Sequence, residues 1–156
     1  MKNSNKDKRL EVLVWSIALP GFGQLLNGRY VKAFILIVLE FLINVKGKVN
    51  VVIVHSFLGE MQAAISEADY LWLMFYPCIY LFAIWDAYKD QGGEGYPFIY
   101  IPFVFAAYFG TLGVIYSSRF TVYGYLLGPI FLPIISMIVG FLVGLFIRRI
   151  IRYQLN

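Results

Sequence analysis

The chain has 156 residues, a net charge of +4 and a mean hydropathy of +0.72, with 60% of residues hydrophobic and 14% charged. Soluble domains carry about 25% charged residues, and a chain this short cannot bury so much apolar surface in one water-surrounded core. Composition therefore excludes an ordinary soluble domain and points to a chain whose outward faces meet a lipid bilayer.

The basic residues gather at the two ends, Lys2, Lys6, Lys8 and Arg9 at one and Arg148, Arg149 and Arg152 at the other. Both groups flank apolar runs, where membrane orientation signals lie. Binding to nucleic acid needs a basic face with room for a phosphate track, so no nucleic-acid partner is expected. A single cysteine, Cys78, excludes an internal disulfide and a multi-cysteine metal site. His55 is the only histidine, too few for a zinc site of the usual kind. No metal, cofactor or catalytic residue is expected.

Residues 1–9 are polar and read as a disordered cytoplasmic tail. Leu10–Leu26 is apolar but contains Glu11 near its start and Pro20-Gly21-Phe22-Gly23 inside it. Pro20 removes a backbone donor and the glycines favour a turn, so a helix kinks or ends there. The basic start resembles a signal peptide, yet no A-x-A-like cleavage site follows, and the segment is expected to stay in place. Asn27-Gly28-Arg29 is a turn signal. Val31–Val45 reads as a short apolar helix of about 23 Å, less than the ~30 Å hydrocarbon core.

Lys46–Asp69 is the least membrane-like internal stretch. Phe57, Leu58, Met61, Ala64, Ile65 and Ala68 recur at helical spacing, with His55, Glu60, Gln62, Glu67 and Asp69 mostly elsewhere. The pattern predicts one amphipathic helix, lying flat in the headgroup region or over the ends of the other helices. Tyr70–Ala87 reads as a span with Pro77 near its middle, and Asp90–Gly95 as a flexible loop. Pro97–Tyr116 is the next span, Ser117-Ser118-Arg119 a tight connection, and Phe120–Ile147 a last span kinked at Pro129 and Pro133.

The fold class expected is therefore all-α: a polytopic helical membrane protein with about four spans, a re-entrant or shallow N-terminal helix and an extracytoplasmic amphipathic helix. Its parts are the tail 1–9, a two-helix-like membrane core 10–95 with the insertion 46–69, and a C-terminal two-span hairpin 96–156 with a basic tail. Counting Lys and Arg by the positive-inside rule, four spans leave ten inside against three outside, whereas five spans leave seven against six. A six-span arrangement, with Leu10–Leu26 and Val49–Ala64 both crossing, matches the four-span count. His55 and Glu60 inside a span would be costly, which favours four spans, with both termini cytoplasmic at the plasma membrane.

Three sets of residues stand out. Glu40 is an ionisable group within the Val31–Val45 helix, either a cation or proton site or a carboxyl hydrogen-bonded to a neighbour such as Asn44. Asp86 ends its span on the side that holds Arg29 and Lys32, and a structural ion pair with one of them is expected. Ser136, Gly140 and Gly144 form a small-residue stripe that lets helices approach closely, serving a homodimer or packing within the chain.

The run Pro20-Gly21-Phe22-Gly23-Gln24-Leu25-Leu26-Asn27-Gly28-Arg29, with the later Trp85-Asp86-Ala87-Tyr88, resembles small bacterial membrane proteins carrying a P-G-x-G-Q-x-x-N-G pattern. These are similar in turn to the two-transmembrane-helix domain family, with its glycine-rich turn and late W-x-x-D; that family's His-Arg-Phe-Tyr-type stretch is absent here. The resemblance covers about residues 10–90. It implies a bacterial plasma-membrane location and a compact helical core, and carries over no reaction, cofactor or catalytic residue. The functional expectation is a non-enzymatic accessory or scaffold component that binds other membrane components, with a small transporter or channel using Glu40 as the rival.

Overall fold

A computed structural model describes the chain over residues 2–92 and 97–155, with side chains from Asp7 onward. The helices are α1 (Lys2–Ala18), α2 (Phe22–Leu26), α3 (Tyr30–Lys46), α4 (Val49–Phe57), α5 (Met61–Glu67), α6 (Tyr70–Leu73), α7 (Tyr76–Asp90), α8 (Tyr100–Tyr116) and α9 (Gly128–Gln154). Two short strands, β1 (Thr121–Val122) and β2 (Tyr125–Leu126), pair as an antiparallel hairpin between α8 and α9.

Helix α7 is the axis of the fold. Arg9 of α1 reaches the carbonyls of Gln91 and Gly92, and the Ile17 carbonyl accepts from the Tyr80 hydroxyl. So α1 runs antiparallel to α7, from its C-terminal end towards its middle. The chain reverses at Pro20-Gly21, and α2 climbs back, with Gln24 beside Ala83 and Asn27 beside Ala87. The α1–α2 hairpin thus enters and leaves at the same end of α7. Helix α3 then descends, with Lys32 beside Asp86 and Glu40 beside Tyr76.

The second half packs by close approach. Thr111 of α8 lies at Met74 and Cys78, while Leu81, Ile84 and Ala106 share a core cluster, so α8 is antiparallel to α7. Helix α9 returns along α8, with Pro133 at Gly113, Met137 at Gly110 and Gly144 at Pro102. At the end away from Asp86, Val49, Leu73 and Val114 form a second cluster. There α4 and α5 form a short layer against the N-terminal part of α9, Phe57 meeting Phe131 edge-on.

Two runs are long and apolar enough to cross a membrane, Tyr70–Asp90 and Gly128–Gln154. Helix α8 is apolar with 17 residues. Helix α3 has the same length and carries Lys32, Glu40 and Lys46. Large apolar side chains on its outer face, including Val31, Phe34, Phe41 and Val45, stay more than half exposed.

Several expectations change. The polar stretch 1–9 is helical from Lys2, continuous with the apolar remainder of α1, and Arg9 is anchored to the carbonyls that follow α7. The insertion 46–69 is two helices, not one. Gly59, at φ +80°, breaks it, and the buried positions are Val49, Val52, Ser56 and Ala64, while Phe57 and Leu58 are exposed. Pro77 lies inside the Tyr70–Asp90 run, as expected, at a break between α6 and α7; it opens α7 within the first turn, where a missing N–H is harmless. Pro129 likewise opens α9, and only Pro133 is inside it.

The last span also starts later than Phe120. Tyr123 and Gly124 both have positive φ, 51° and 84°, as a two-residue type I′ hairpin turn requires. Ser117-Ser118-Arg119 is a turn as expected, but it leads into the β1–β2 hairpin and not directly into helix. Residues 93–96, which hold half of the expected flexible loop and the expected 95/96 boundary, lie outside the described residues.

Candidate functional site

The conspicuous motif and Asp86 meet at the C-terminal end of α7. Gly21 adopts φ +100°, and a Cβ there would lie 2.6 Å from Ile37 Cγ1 and 2.9 Å from the Ala33 carbonyl. Only glycine suits both the left-handed backbone and that approach to α3. Gly23 is required by space: a Cβ would lie 1.8 Å from Ser16 Oγ and 2.7 Å from Ala87 Cβ. Pro20, before this turn, is fully buried. Gly28 (φ +71°) has open space around it, and with Arg29 it faces outward, so the motif is buried at Pro20–Gln24 and exposed at its end.

Gln24 is fully buried and donates from Nε2 to the Ala83 carbonyl at 2.8 Å and to Asp86 Oδ2 at 3.1 Å. Its Oε1 has no protein partner. Asn27 donates to the Ala87 carbonyl at 2.9 Å and accepts from the Gln91 amide. The other Asp86 oxygen, Oδ1, accepts from Lys32 Nζ at 2.6 Å. Of the two cations open to Asp86 in sequence, the structure pairs it with Lys32. Arg29 turns to Asp90, at 3.2 Å, and Lys32 also reaches Asp90 at 3.5 Å.

The arrangement ties four stretches of chain together. Asp86 is a buried carboxylate, 7% exposed, and breaking such a group's partnership leaves a desolvated charge that costs about 1–3 kcal/mol. The Arg29–Asp90 pair is more open and contributes under about 1 kcal/mol. The chemistry is that of a latch. Each donor and acceptor named here, apart from Gln24 Oε1, is engaged within the chain.

Glu40 lies elsewhere, about halfway along α3. It is 8% exposed and accepts from the Tyr76 hydroxyl at 3.1 Å. Asn44, the partner suggested by spacing, pairs instead with Asn50 at 3.3 Å, because the turn into α4 brings Asn50 close. Among the described residues, no group of three or more His, Cys, Asp or Glu could hold a metal ion.

The stripe of Ser136, Gly140 and Gly144 is occupied by α8. A Cβ on Gly140 would lie 2.5 Å from the Phe105 carbonyl, one on Gly144 2.5 Å from Pro102 Cα, and Ser136 packs on Gly113. Of its two readings, packing within the chain is the one seen, and the stripe is not free to pair with a second copy.

Sequence reasoning missed Asp90, Gln91 and Tyr76. Signals for them existed: Asp86 and Asp90 are four residues apart and so share a helix face, as do Tyr76 and Tyr80. Which of the chain's cations and carboxylates they would meet depends on the reversal at Pro20-Gly21, a tertiary matter. No family model, curated protein or solved structure matches the chain.

Proposed function

We propose that the chain is a multi-pass protein of the plasma membrane that acts as a non-enzymatic scaffold or accessory component, holding other membrane components against its outer faces. In this reading α3, the α6–α7 run, α8 and α9 cross, α1–α2 is re-entrant, and α4–α5 cover the outer ends. The observation that carries the topology is the distribution of charge in space. Arg9, Arg29, Lys32, Lys89, Arg148, Arg149 and Arg152 all belong to the end of the bundle marked by Asp90, while Lys46, Lys48 and Arg119 belong to the other. That asymmetry supports both termini being cytoplasmic.

Two further features support four crossings over six. The α1–α2 hairpin returns to its own side, and α4, with nine residues, is only about 14 Å long. The irregular backbone at Pro20–Gly23 is also covered by α3 and α7, as membrane depth demands. The scaffold reading is supported by the latch, whose polar groups serve the chain itself and leave mainly apolar surface to offer.

Single cysteines at Arg29 and Lys48, probed with a membrane-impermeant thiol reagent, should label from opposite sides; labelling from one side sinks the four-span arrangement. Affinity purification from membranes should then bring down a reproducible set of membrane components. The rival, a small transporter or channel, rests on Glu40, which is buried against Tyr76. Glu40→Gln should leave the phenotype of a deletion fully rescued; loss of rescue by a variant that still folds favours transport.

A further inference from the structure

Helices α1 and α9 flank an apolar slot floored by α7 and α8. One cavity of about 400 Å³ is walled by Leu13 and Ile17 of α1, Leu81 and Ile84 of α7, and Phe141 and Leu145 of α9. It adjoins a larger one of about 580 Å³, which shares Ile17, Leu81 and Phe141 and continues along α9 to Pro129. The lining of both is dominated by aliphatic and aromatic side chains. At the other end the slot opens onto a third cavity of about 310 Å³, lined by Leu145, Arg148, Arg149, Arg152 and Tyr153. Leu145 and Arg148 line both, so slot and basic mouth adjoin.

The mouth is cationic, and among the described residues no carboxylate pairs with it. Arg148 donates through Nε to the Pro97 carbonyl at 3.0 Å. Among the described residues, none of Arg148, Arg149 and Arg152 is in an ion pair. Three guanidiniums at the end of a methylene-lined slot match one chemistry, a phosphate attached to a hydrocarbon chain. Guanidinium binds phosphate oxygens through its planar fork of donors, and basic pockets between membrane helices favour anionic headgroups.

Length agrees as well. From Arg148 back to Pro129 the slot follows α9 for about 28 Å, more than the ~15 Å depth of one leaflet, so an acyl chain fits within it. We propose that the slot holds one acyl chain of an anionic phospholipid, with its phosphate against Arg148, Arg149 and Arg152. This rests on the membrane reading above and names the first component that the scaffold would hold. Arg149 and Arg152 are then not only orientation signals but part of a lipid site.

The test uses the full chain purified in a neutral detergent, with phosphatidylglycerol and phosphatidylcholine of identical acyl chains. Native mass spectrometry should show phosphatidylglycerol retained at least tenfold over phosphatidylcholine, and it should raise the melting temperature where phosphatidylcholine does not. R148Q/R149Q/R152Q should abolish that preference. Ile17→Trp, which plugs the slot and leaves the arginines in place, should also lose retention. Equal retention of both lipids, or stabilisation by inorganic phosphate as strong as by the lipid, overturns the proposal. So does loss in the arginine variant with none in Ile17→Trp, which would mean attraction at the surface only.

Should either variant fail to fold, phosphatidylglycerol with a photoactivatable acyl chain decides on the wild type. Crosslinks to Leu13–Ile17 and Phe141–Leu145 are expected; crosslinks elsewhere, or a chain that elutes as a dimer with the slot protected and no lipid, overturn it. Failure of the membrane reading is distinguishable, since the chain would then leave the membrane without detergent.

Discussion

The end of the molecule around Asp86 and the α8–α9 hairpin solve the same packing problem by different means. Around Asp86 the backbone reverses at Pro20-Gly21, and side-chain hydrogen bonds and an ion pair hold the irregular chain to α7. Between α8 and α9 the helices are regular, and Gly113, Gly140 and Gly144 bring backbones together so closely that any Cβ would collide, while Gly110 makes room for the Met137 side chain. The contacts around Asp86 are directional, because Gln24 and Asn27 reach α7 through side-chain amides that donate to its carbonyls. Where the helix satisfies its own backbone, dispersion between closely set surfaces suffices. Gly23 belongs to both schemes, since it admits α2 against Ser16 of α1 and Ala87 of α7 beside the latch.

That contrast can be broken at Gly23. Gly23→Ala places a methyl group on Ser16 and Ala87 and should cost about 3 kcal/mol, read as a large fall in melting temperature and in monodisperse yield in detergent. Ser16→Gly in the same chain should recover part of the loss, because it removes the nearer collision; no recovery would mean that Ala87 is the obstacle.

Asp86→Asn separates charge from shape at the latch. It keeps an oxygen for Gln24 and removes the charge facing Lys32, and should destabilise by about 2 kcal/mol. Lys32→Gln should cost at least as much, because it leaves the buried Asp86 carboxylate charged with only the Gln24 amide beside it. Unchanged stability in Asp86→Asn would reduce the latch to hydrogen bonds alone.

Gly140→Ala tests the other scheme, at about 1–2 kcal/mol. Because no charge is involved, its effect should be the same at low and high salt, whereas the Lys32 effect should shrink as salt rises. A salt-dependent Gly140→Ala would blur the distinction between the halves.

The smallest effect is expected outside both regions, at the exposed Lys48–Glu67 pair, 2.9 Å apart. The hydrogen bond from Lys48 holds the Glu67 carboxyl below its ordinary value of 4.5. A depressed carboxylate stabilises the fold above its unfolded pKa, and the contribution is lost as pH falls through the lower folded value. The melting temperature should therefore drop slightly more below about pH 4.5 in the wild type than in Glu67→Gln.

Much of the α1–α3 region was legible because its signals are local. Pro20 and the glycines mark a break whatever surrounds them, and the apolar run of α3 reads as a helix on its own. The hairpin at Tyr123-Gly124 was hidden in an apolar run that looks helical when periodicity is read alone, although a Tyr-Gly pair between β-favouring residues was there to see. The insertion 46–69 misled for a related reason: helical spacing persisted across Gly59, so the pattern did not show that the chain turns there.

By itself the sequence determined that this is an apolar helical chain with a break at Pro20–Gly23 and basic residues at its ends, because composition, proline and glycine act within a few residues. The tertiary structure decided the rest. It settled that Asp86 takes Lys32 and Arg29 takes Asp90, that Glu40 meets Tyr76, and that the small-residue stripe belongs to α8. It also set α1 and α9 on either side of a slot ending in three arginines. Each of these joins residues tens of positions apart, and only the reversal at Gly21 and the close approach of helices at glycine determine which of them meet.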